Sequence, residues 1–171
     1  MTDVVLVDAQ DREVGTCEKL EAHKQGLLHR AFSIFVLNKK GQLLLQQRAE
    51  NKYHSGGKWT NTTCSHPMPG EDVLAAGKRR LKEEMGFTCE LEALGRFIYK
   101  AEFENNLIEH ELDHVLIGRW EGELTPDREE CQAWRWIDLE DLKQEMKANP
   151  EKFSAWLAPA LEIAYNGVND A

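Results

Sequence analysis

A thiol and an imidazole stand close together in the stretch Thr60-Asn61-Thr62-Thr63-Cys64-Ser65-His66-Pro67. The next segment, residues 71–86, carries the charged side chains Arg79, Arg80, Glu83 and Glu84. A packed core requires none of these groups, although a cysteine by itself is more often a small buried hydrophobe than a catalyst. Together, the thiol, the imidazole and a set of charges suited to a diphosphate predict an active site within one strand, loop and helix.

Two acids flank a histidine in the segment Glu109-His110-Glu111, which we predict to lie in a β-strand. Side chains alternate along a strand, so both carboxylates point to one face and His110 points to the other. Two neighbouring carboxylates repel each other unless a cation lies between them. A solvated edge strand would explain the same pattern equally well.

Three histidines could share a cation with these two acids. His23 and His29 precede the first long strand, and His66 follows Cys64. Taken singly, each is more often a surface or core histidine than a ligand. Three imidazoles and two carboxylates nevertheless form a five-ligand set for a divalent transition metal or, less readily, for Mg²⁺. We expect His54 to lie outside this set, so that its replacement leaves bound metal unchanged.

Hydrophobic patterns and turn residues predict the elements that must position these groups. We expect a turn at residues 12–15 and an irregular segment at residues 18–25. Strands are predicted at residues 4–7, 31–38, 42–48, 91–99, 107–120 and 133–137, and helices at residues 71–85, from residue 138 onward and at residues 154–165.

The helix over residues 71–85 has two distinct faces. At 100° per residue, one arc of the helix is apolar and the arc beside it is charged. The apolar arc holds Leu74, Leu81 and Met85, and the charged arc holds Arg80, Glu83 and Glu84. The first face is predicted to pack against the sheet. The second can therefore face a site.

Composition limits the class of protein. The chain has 171 residues and a formal net charge of -9, which argues against a surface that binds nucleic acid or anionic membranes. No stretch approaches the roughly 18 apolar residues of a membrane span. The four cysteines form no CxxC pair. We expect a single domain over residues 1–171, with reduced thiols and a cytoplasmic location.

The segment from Ser65 to Phe87 resembles the Nudix box. It reads Ser65, five residues, Glu71, seven residues, Arg79-Arg80-Leu81, one residue, Glu83-Glu84, one residue, Gly86-Phe87. Two positions depart from the hydrolase pattern, because Ser65 stands where the hydrolases have Gly and Arg80 stands where they have a catalytic Glu. These departures weaken a hydrolase interpretation.

Over residues 4–157 the chain is similar to the type I isopentenyl-diphosphate isomerases, a family related to the Nudix hydrolases. The matching features are Asn61-Thr62-Thr63-Cys64-Ser65-His66-Pro67, Glu109-His110-Glu111, the pair His23 and His29, and Ala155-Trp156. The resemblance implies a Nudix-type α/β/α sandwich with a mixed central sheet. It also implies interconversion of isopentenyl and dimethylallyl diphosphates by proton transfer at carbon.

The same resemblance implies roles for individual residues. Cys64 and Glu111 would act as the acid/base pair, with Tyr99 hydrogen-bonded near them and Trp156 over the hydrocarbon tail. Glu84 would help to hold a Mg²⁺ that also meets the diphosphate. The divalent metal of the active site, Mn²⁺, Mg²⁺ or Zn²⁺, would be held by His23, His29, His66, Glu109 and Glu111, and the diphosphate would be contacted by Lys19, Arg48, Lys52 and Arg80.

Two other functions remain open at this point. A Nudix hydrolase acting on a nucleoside diphosphate derivative would use Glu83 and Glu84 in metal-assisted attack by water. A metal or diphosphate binder without catalysis would need neither Cys64 nor Glu111. We expect a small allylic or homoallylic diphosphate as the partner, no nucleic acid or membrane, and a monomer or weak dimer.

Overall fold

A computed structural model describes residues 2–52 and 54–169. Within these ranges the chain forms nine strands, four α-helices and one 3-10 turn at Pro150–Lys152. In chain order the elements are β1 Asp3–Val7, β2 Glu13–Glu18, α1 Lys19–Gln25, β3 His29–Leu37, β4 Gln42–Arg48, β5 Trp59–Thr60, β6 Thr63–Ser65, α2 Val73–Met85, β7 Leu91–Glu102, β8 Ile108–Arg119, β9 Cys131–Asp138, α3 Leu139–Ala148 and α4 Leu157–Asn169.

The strands form a mixed sheet centred on β3. This strand pairs in parallel with β8 over nine positions and antiparallel with β6, β4 and β1. The remaining pairs, β1 with β2, β4 with β5 and β9, and β7 with β8, are antiparallel. The predicted mixed sheet is thus confirmed.

Helices cover both faces of the sheet because β3 is apolar on both sides. Phe32, Ile34 and Val36 pack in one cluster with Leu81 and Met85 of α2. The alternate residues of β3, Phe35 and Leu37, pack in a second cluster that includes residues of α3 and α4. A strand buried on both faces requires near-continuous apolar residues, which is the pattern of β3. This arrangement is the predicted α/β/α sandwich.

Two predictions for the first 25 residues were wrong. The predicted turn at residues 12–15 belongs largely to β2, which pairs with β1. The segment expected to be irregular forms α1, whose first turn is capped by the Glu18 side chain accepting from the Glu21 N–H. This helix buries only Ala22 and His23, so it lacks the apolar periodicity that identifies a helix in a sequence.

Within residues 2–52 and 54–169, no helix has the length and apolar character needed to cross a membrane.

Gly86 closes α2 in the left-handed conformation, with φ of 81°. A Cβ added here would lie 2.5 Å from the Thr125 carbonyl oxygen, whereas one added at Gly41, with φ of 77°, would meet nothing within 4 Å. We therefore expect Gly86→Ala to lower the free energy of unfolding by about 2 to 4 kcal/mol. Gly41→Ala, which adds only the conformational cost, should lower it by about 1 to 2 kcal/mol. Equal losses in urea denaturation would contradict the steric argument.

Candidate active site

The residues singled out in the sequence converge on one cavity beside β3. Cys64 lies opposite Ser33 in the pairing of β6 with β3, and Glu111 lies opposite His29 in the pairing of β8 with β3. Ten of the thirteen predicted site residues line this cavity: Lys19, Arg48, Lys52, Cys64, His66, Arg80, Glu84, Glu109, Glu111 and Trp156. The space between them measures about 40 Å³, which holds only a few water-sized groups, so the lining side chains must move apart before a larger ligand can enter.

Imidazoles and carboxylates meet at one end of the cavity. The Nε2 atoms of His29 and His66 lie 3.3 and 2.8 Å from Glu111 Oε2, and His23 Nε2 lies 3.4 Å from Glu109 Oε2. One donor atom from each of His23, His29, His66 and Glu111 lies within 4.8 Å of the other three. Neutral imidazoles and ionised carboxylates suit divalent transition metals, so this cluster could hold such an ion.

The neighbours of the two glutamates drive their pKa values apart. Burial, reinforced by the Glu109 carboxylate, raises the pKa of Glu111 to about 7. Burial also opposes ionisation of Glu109, but hydrogen bonds from His23 and His54 outweigh it and hold the pKa of Glu109 well below its usual range. At neutral pH Glu109 is therefore an anion, and Glu111 can take up or release a proton.

The His66 ring is a neutral ligand at neutral pH. Its burial, together with the neighbouring His29 ring, lowers the pKa of His66 well below its usual value. Metal ions bind the unprotonated nitrogen of imidazole. His66 therefore needs to lose no proton before it coordinates an ion.

Hydrogen bonds hold the Cys64 sulfur in one position. The thiol donates to Asn61 Oδ1 at 3.1 Å, and the Trp156 indole N–H donates to Cys64 Sγ at 3.0 Å. The Asn61 amide cannot turn over, because its Nδ2 donates to the Ile34 and Thr63 carbonyls, each at 3.0 Å. An oxygen acceptor therefore always faces the thiol.

A buried acid lies behind this thiol. Ser33 Oγ donates to Asp113 Oδ2 at 2.8 Å and lies 3.7 Å from Cys64 Sγ. Burial, together with the nearby Asp113 carboxylate, raises the pKa of Cys64 to about 12. At neutral pH the sulfur is thus a protonated thiol that can serve as a proton donor.

Basic side chains also line the cavity. Arg80 donates to Ser65 Oγ at 3.0 Å and to Glu84 Oε2 at 2.8 Å, and Lys52 Nζ lies 2.6 Å from Glu130 Oε2. Arg79 points elsewhere on α2, where it pairs with Glu71 and Glu83. The predicted charged face of this helix is therefore confirmed for Arg80 and Glu84, which line the cavity, but not for Glu83, which does not.

Glu84 combines burial with two polar partners. Its side chain accepts from Arg80 and, at 3.2 Å, from Gln46 Nε2. Burial raises the pKa of Glu84 in spite of the Arg80 charge. A carboxylate in this setting could serve as an oxygen ligand for a hard cation such as Mg²⁺.

Trp156 and Arg48 form one wall of the cavity. The Arg48 guanidinium carbon lies 5.2 Å from the centre of the Trp156 ring, and its Nη2 donates to the His54 carbonyl. Tyr99 is buried opposite Glu111 in the pairing of β7 with β8, and its ring lies 6.4 Å from that of Trp156. Unlike the other predicted catalytic residues, Tyr99 does not line the cavity. Its hydroxyl makes no hydrogen bond to the described residues, so the expected hydrogen bond near Cys64 and Glu111 is absent.

The structure corrects the sequence prediction for His54. It was expected to lie outside the metal cluster, but its Nε2 lies 2.5 Å from Glu109 Oε2 and its side chain is 2% exposed. The sequence offers no signal for this position, because His54 lies in the loop between β4 and β5. Its neighbours Lys52 and Arg48 also line the cavity.

Sequence reasoning also missed Asp113 and Glu130, both of which line the cavity. For Asp113 a signal existed, because strand alternation places residue 113 on the same face as residues 109 and 111. For Glu130 none did, since it lies in the loop that precedes β9.

Comparison with known families gives one match over most of the chain. A model of the NUDIX domain matches residues 27–157. Two solved structures share this architecture at low identity, which bears on the fold alone. A protein from Deinococcus radiodurans superposes with a TM-score of 0.79 at 19% identity, covering 95% of this chain and 99% of that one. A MutT protein from Methanosarcina mazei Go1 gives 0.68 at 20% identity, with 84% and 96% covered.

Curated relatives are much more similar in sequence. The isopentenyl-diphosphate Delta-isomerase of Burkholderia multivorans is 54% identical over 161 residues, covering 94% of this chain and 92% of that protein. The protein of the same name from Serratia proteamaculans is 51% identical over 153 residues, with 90% and 86% covered.

Proposed function

We propose that this chain, which belongs to the Nudix family and within it to the isopentenyl-diphosphate Delta-isomerases, interconverts isopentenyl and dimethylallyl diphosphates. The observation that carries the proposal is that a thiol and a carboxyl group, Cys64 and Glu111, line one small cavity together with basic side chains. Moving a double bond by one carbon requires a proton to be added at one carbon and removed at another. Two proton-transfer groups in one cavity meet this requirement.

Cys64 and Glu111 are the residues we propose for these transfers. With a pKa raised to about 12, Cys64 enters the reaction as a neutral thiol, and with a pKa near 7, Glu111 can act in either direction. The intermediate is a tertiary carbocation-like species. Trp156 could stabilise it through its π face by up to ~2 kcal/mol and would also help to exclude water, which would otherwise capture the cation as an alcohol.

We propose that a divalent metal is held by His23, His29, His66, Glu109 and Glu111. Three imidazoles favour Mn²⁺ or Zn²⁺ over Mg²⁺ in this position. Such an ion would fix the Glu111 carboxylate and bias it toward its ionised form. The chain's own part is to keep the His66 imidazole neutral and to hold both carboxylates on one strand face.

The diphosphate is proposed to bind against the basic side chains of the cavity, Lys19, Arg48, Lys52 and Arg80. Burial lowers the pKa of Lys19, and the nearby Lys52 adds to the effect, so an anion placed between these cations would relieve their repulsion. Lys52 and Arg80 would exchange their carboxylate partners for phosphate oxygens. Glu84 would then be free to help hold a diphosphate-bound Mg²⁺.

Two substitutions on α2 test which face of this helix binds the substrate. We expect Arg80→Ala to raise KM for isopentenyl diphosphate by about 10- to 100-fold, the loss of one or two hydrogen bonds to a charged group. Arg79→Ala removes a neighbouring guanidinium that pairs only with Glu71 and Glu83 among the described acids, and KM should change little. Steady-state kinetics on both variants measure the difference. A larger effect from Arg79→Ala would mean that the wrong face of α2 has been assigned to substrate.

Product analysis tests the proposal against a Nudix hydrolase. Glu83 and Glu84 are retained, but Arg80 occupies a hydrolase glutamate position and binds both of them. Incubation with isopentenyl diphosphate and Mg²⁺, followed by ³¹P NMR, should give dimethylallyl diphosphate with the diphosphate intact. Release of inorganic phosphate or of a monophosphate would reject the isomerase in favour of a hydrolase.

A further inference from the structure

His54 is held rigidly beside the metal cluster. Its ring is stacked on Phe103, with centroids 4.4 Å apart and planes inclined by 7°. The Trp156 ring is nearly perpendicular to it, at 85°, with centroids 5.8 Å apart. Its Nε2 lies 2.5 Å from Glu109 Oε2, the same oxygen that lies 3.4 Å from His23 Nε2. Aromatic contacts on two sides thus aim one ring nitrogen at a carboxylate of the cluster.

The other ring nitrogens of the cluster follow a common pattern. His23 Nδ1 lies 2.7 Å from the Lys19 carbonyl oxygen and His29 Nδ1 lies 2.9 Å from that of Leu27. A carbonyl only accepts, so in each neutral ring Nδ1 carries the hydrogen and Nε2 carries the lone pair. Metal-binding histidines are usually oriented by such a bond from their outer nitrogen. His54 Nδ1 lies 3.1 Å from Ser55 Oγ. This hydroxyl can accept a hydrogen from Nδ1, as the two carbonyls do, and Nε2 then carries the lone pair.

We infer that His54 is a sixth ligand of the divalent metal, an inference that rests on the metal site proposed above. One donor atom from each of His23, His54 and Glu109 lies within 4.8 Å of the other two, and His23 also belongs to the group formed with His29, His66 and Glu111. The two groups share His23 and together offer six donors, which binding of one ion would draw closer to one another. Six is the coordination number of an octahedral ion, and four imidazoles among them favour a transition metal over Mg²⁺.

A different role for His54 would be to orient Glu109 through a hydrogen bond without touching the ion. The two roles differ in one measurable quantity, the number of imidazole nitrogens bonded to the metal. A ligand contributes a nitrogen hyperfine coupling to bound Mn²⁺, whereas a residue that only orients Glu109 does not. The metal affinity of a His54 variant would fall in both cases, so affinity by itself does not distinguish the two roles.

The experiment uses Mn²⁺ alone, without substrate, on the metal-free full chain labelled with ¹⁵N-histidine. Pulsed EPR of the Mn²⁺-loaded protein should count four coordinated imidazoles in the parent and three in both His54→Ala and His54→Gln. The Mn²⁺ Kd of these variants should rise at least 10-fold. His114→Ala is the matched control, since His114 pairs with Asp11 outside the cluster, and it should keep both values of the parent.

Three results would overturn the inference. A parent with three coordinated imidazoles and a weakened His54→Ala would assign His54 to orienting Glu109. An unchanged count and Kd in both His54 variants would remove it from the site. A parent that binds no Mn²⁺ would reject the metal cluster itself, and this failure is separate from the isomerase assay. Thermal unfolding of metal-free His54→Gln beside the parent ensures that any weaker binding is measured on a folded chain.

Discussion

Replacing Cys64 with alanine is expected to lower kcat for isopentenyl diphosphate by about 10²- to 10⁴-fold, the usual loss when a general acid or base is removed. The physical reason is that the reaction adds a proton to carbon, and the Cys64 thiol is the protonated group that Asn61 and Trp156 hold in the cavity. Metal content should not change, because Cys64 belongs to neither group of candidate ligands. Steady-state kinetics and metal analysis of the same sample measure both.

Two further variants sharpen this test. Cys64→Ser should also be nearly inactive, because a hydroxyl is a far weaker acid than a thiol although it preserves the shape of the side chain. Cys17→Ala replaces a thiol on β2, paired with Val4 and away from the cavity, and should retain the parent rate. If Cys64→Ala kept full activity, the thiol would have no part in proton transfer.

A comparably large effect is expected from His66→Ala, which should lower bound divalent metal and kcat together. His66 Nε2 lies 2.8 Å from Glu111 Oε2 and belongs to the four-residue group of candidate ligands. Its loss removes one neutral donor and leaves Glu111 without its nearest imidazole. Without the metal Glu111 is less well fixed, so we expect the loss in kcat to reach at least 10²-fold. Metal analysis after dialysis and kinetics with added Mn²⁺ measure the two effects.

The same variant should change the stability of the protein. A ligand that binds only the native state stabilises it by mass action, by about 2.7 kcal/mol at a free concentration one hundred times its Kd. Adding Mn²⁺ should therefore raise the Tm of the parent and of His114→Ala, and should raise that of His66→Ala much less. Equal metal content in His66→Ala and His114→Ala would refute the proposed ligand set.

Long, strongly patterned elements were predictable from the sequence. The predicted strand at residues 42–48 coincides with β4, and the helix predicted at residues 71–85 contains α2. The two faces of α2 could be separated because Leu81 and Met85 are fully buried while Arg80 reaches the cavity. Here local pattern and tertiary packing agree.

The predictions that failed concern segments in which few residues are buried against the rest of the protein. The seven-residue helix α1 buries only Ala22 and His23, and its stability comes from an end cap and from contact with the sheet. His54 lies in a loop, where no periodicity fixes the direction of a side chain. Its approach to Glu109 depends on stacking with Phe103, a contact 49 positions away along the chain.

Deuterium incorporation shows whether Cys64 and Glu111 move protons to and from carbon. The protein is incubated with isopentenyl diphosphate and Mg²⁺ in D₂O, and the products are analysed by ²H and ³¹P NMR. We predict dimethylallyl diphosphate that carries deuterium on carbon, with no inorganic phosphate, and no deuterated product from Cys64→Ala over the same time. Phosphate release without deuterated dimethylallyl diphosphate would contradict the account and would identify the chain as a hydrolase.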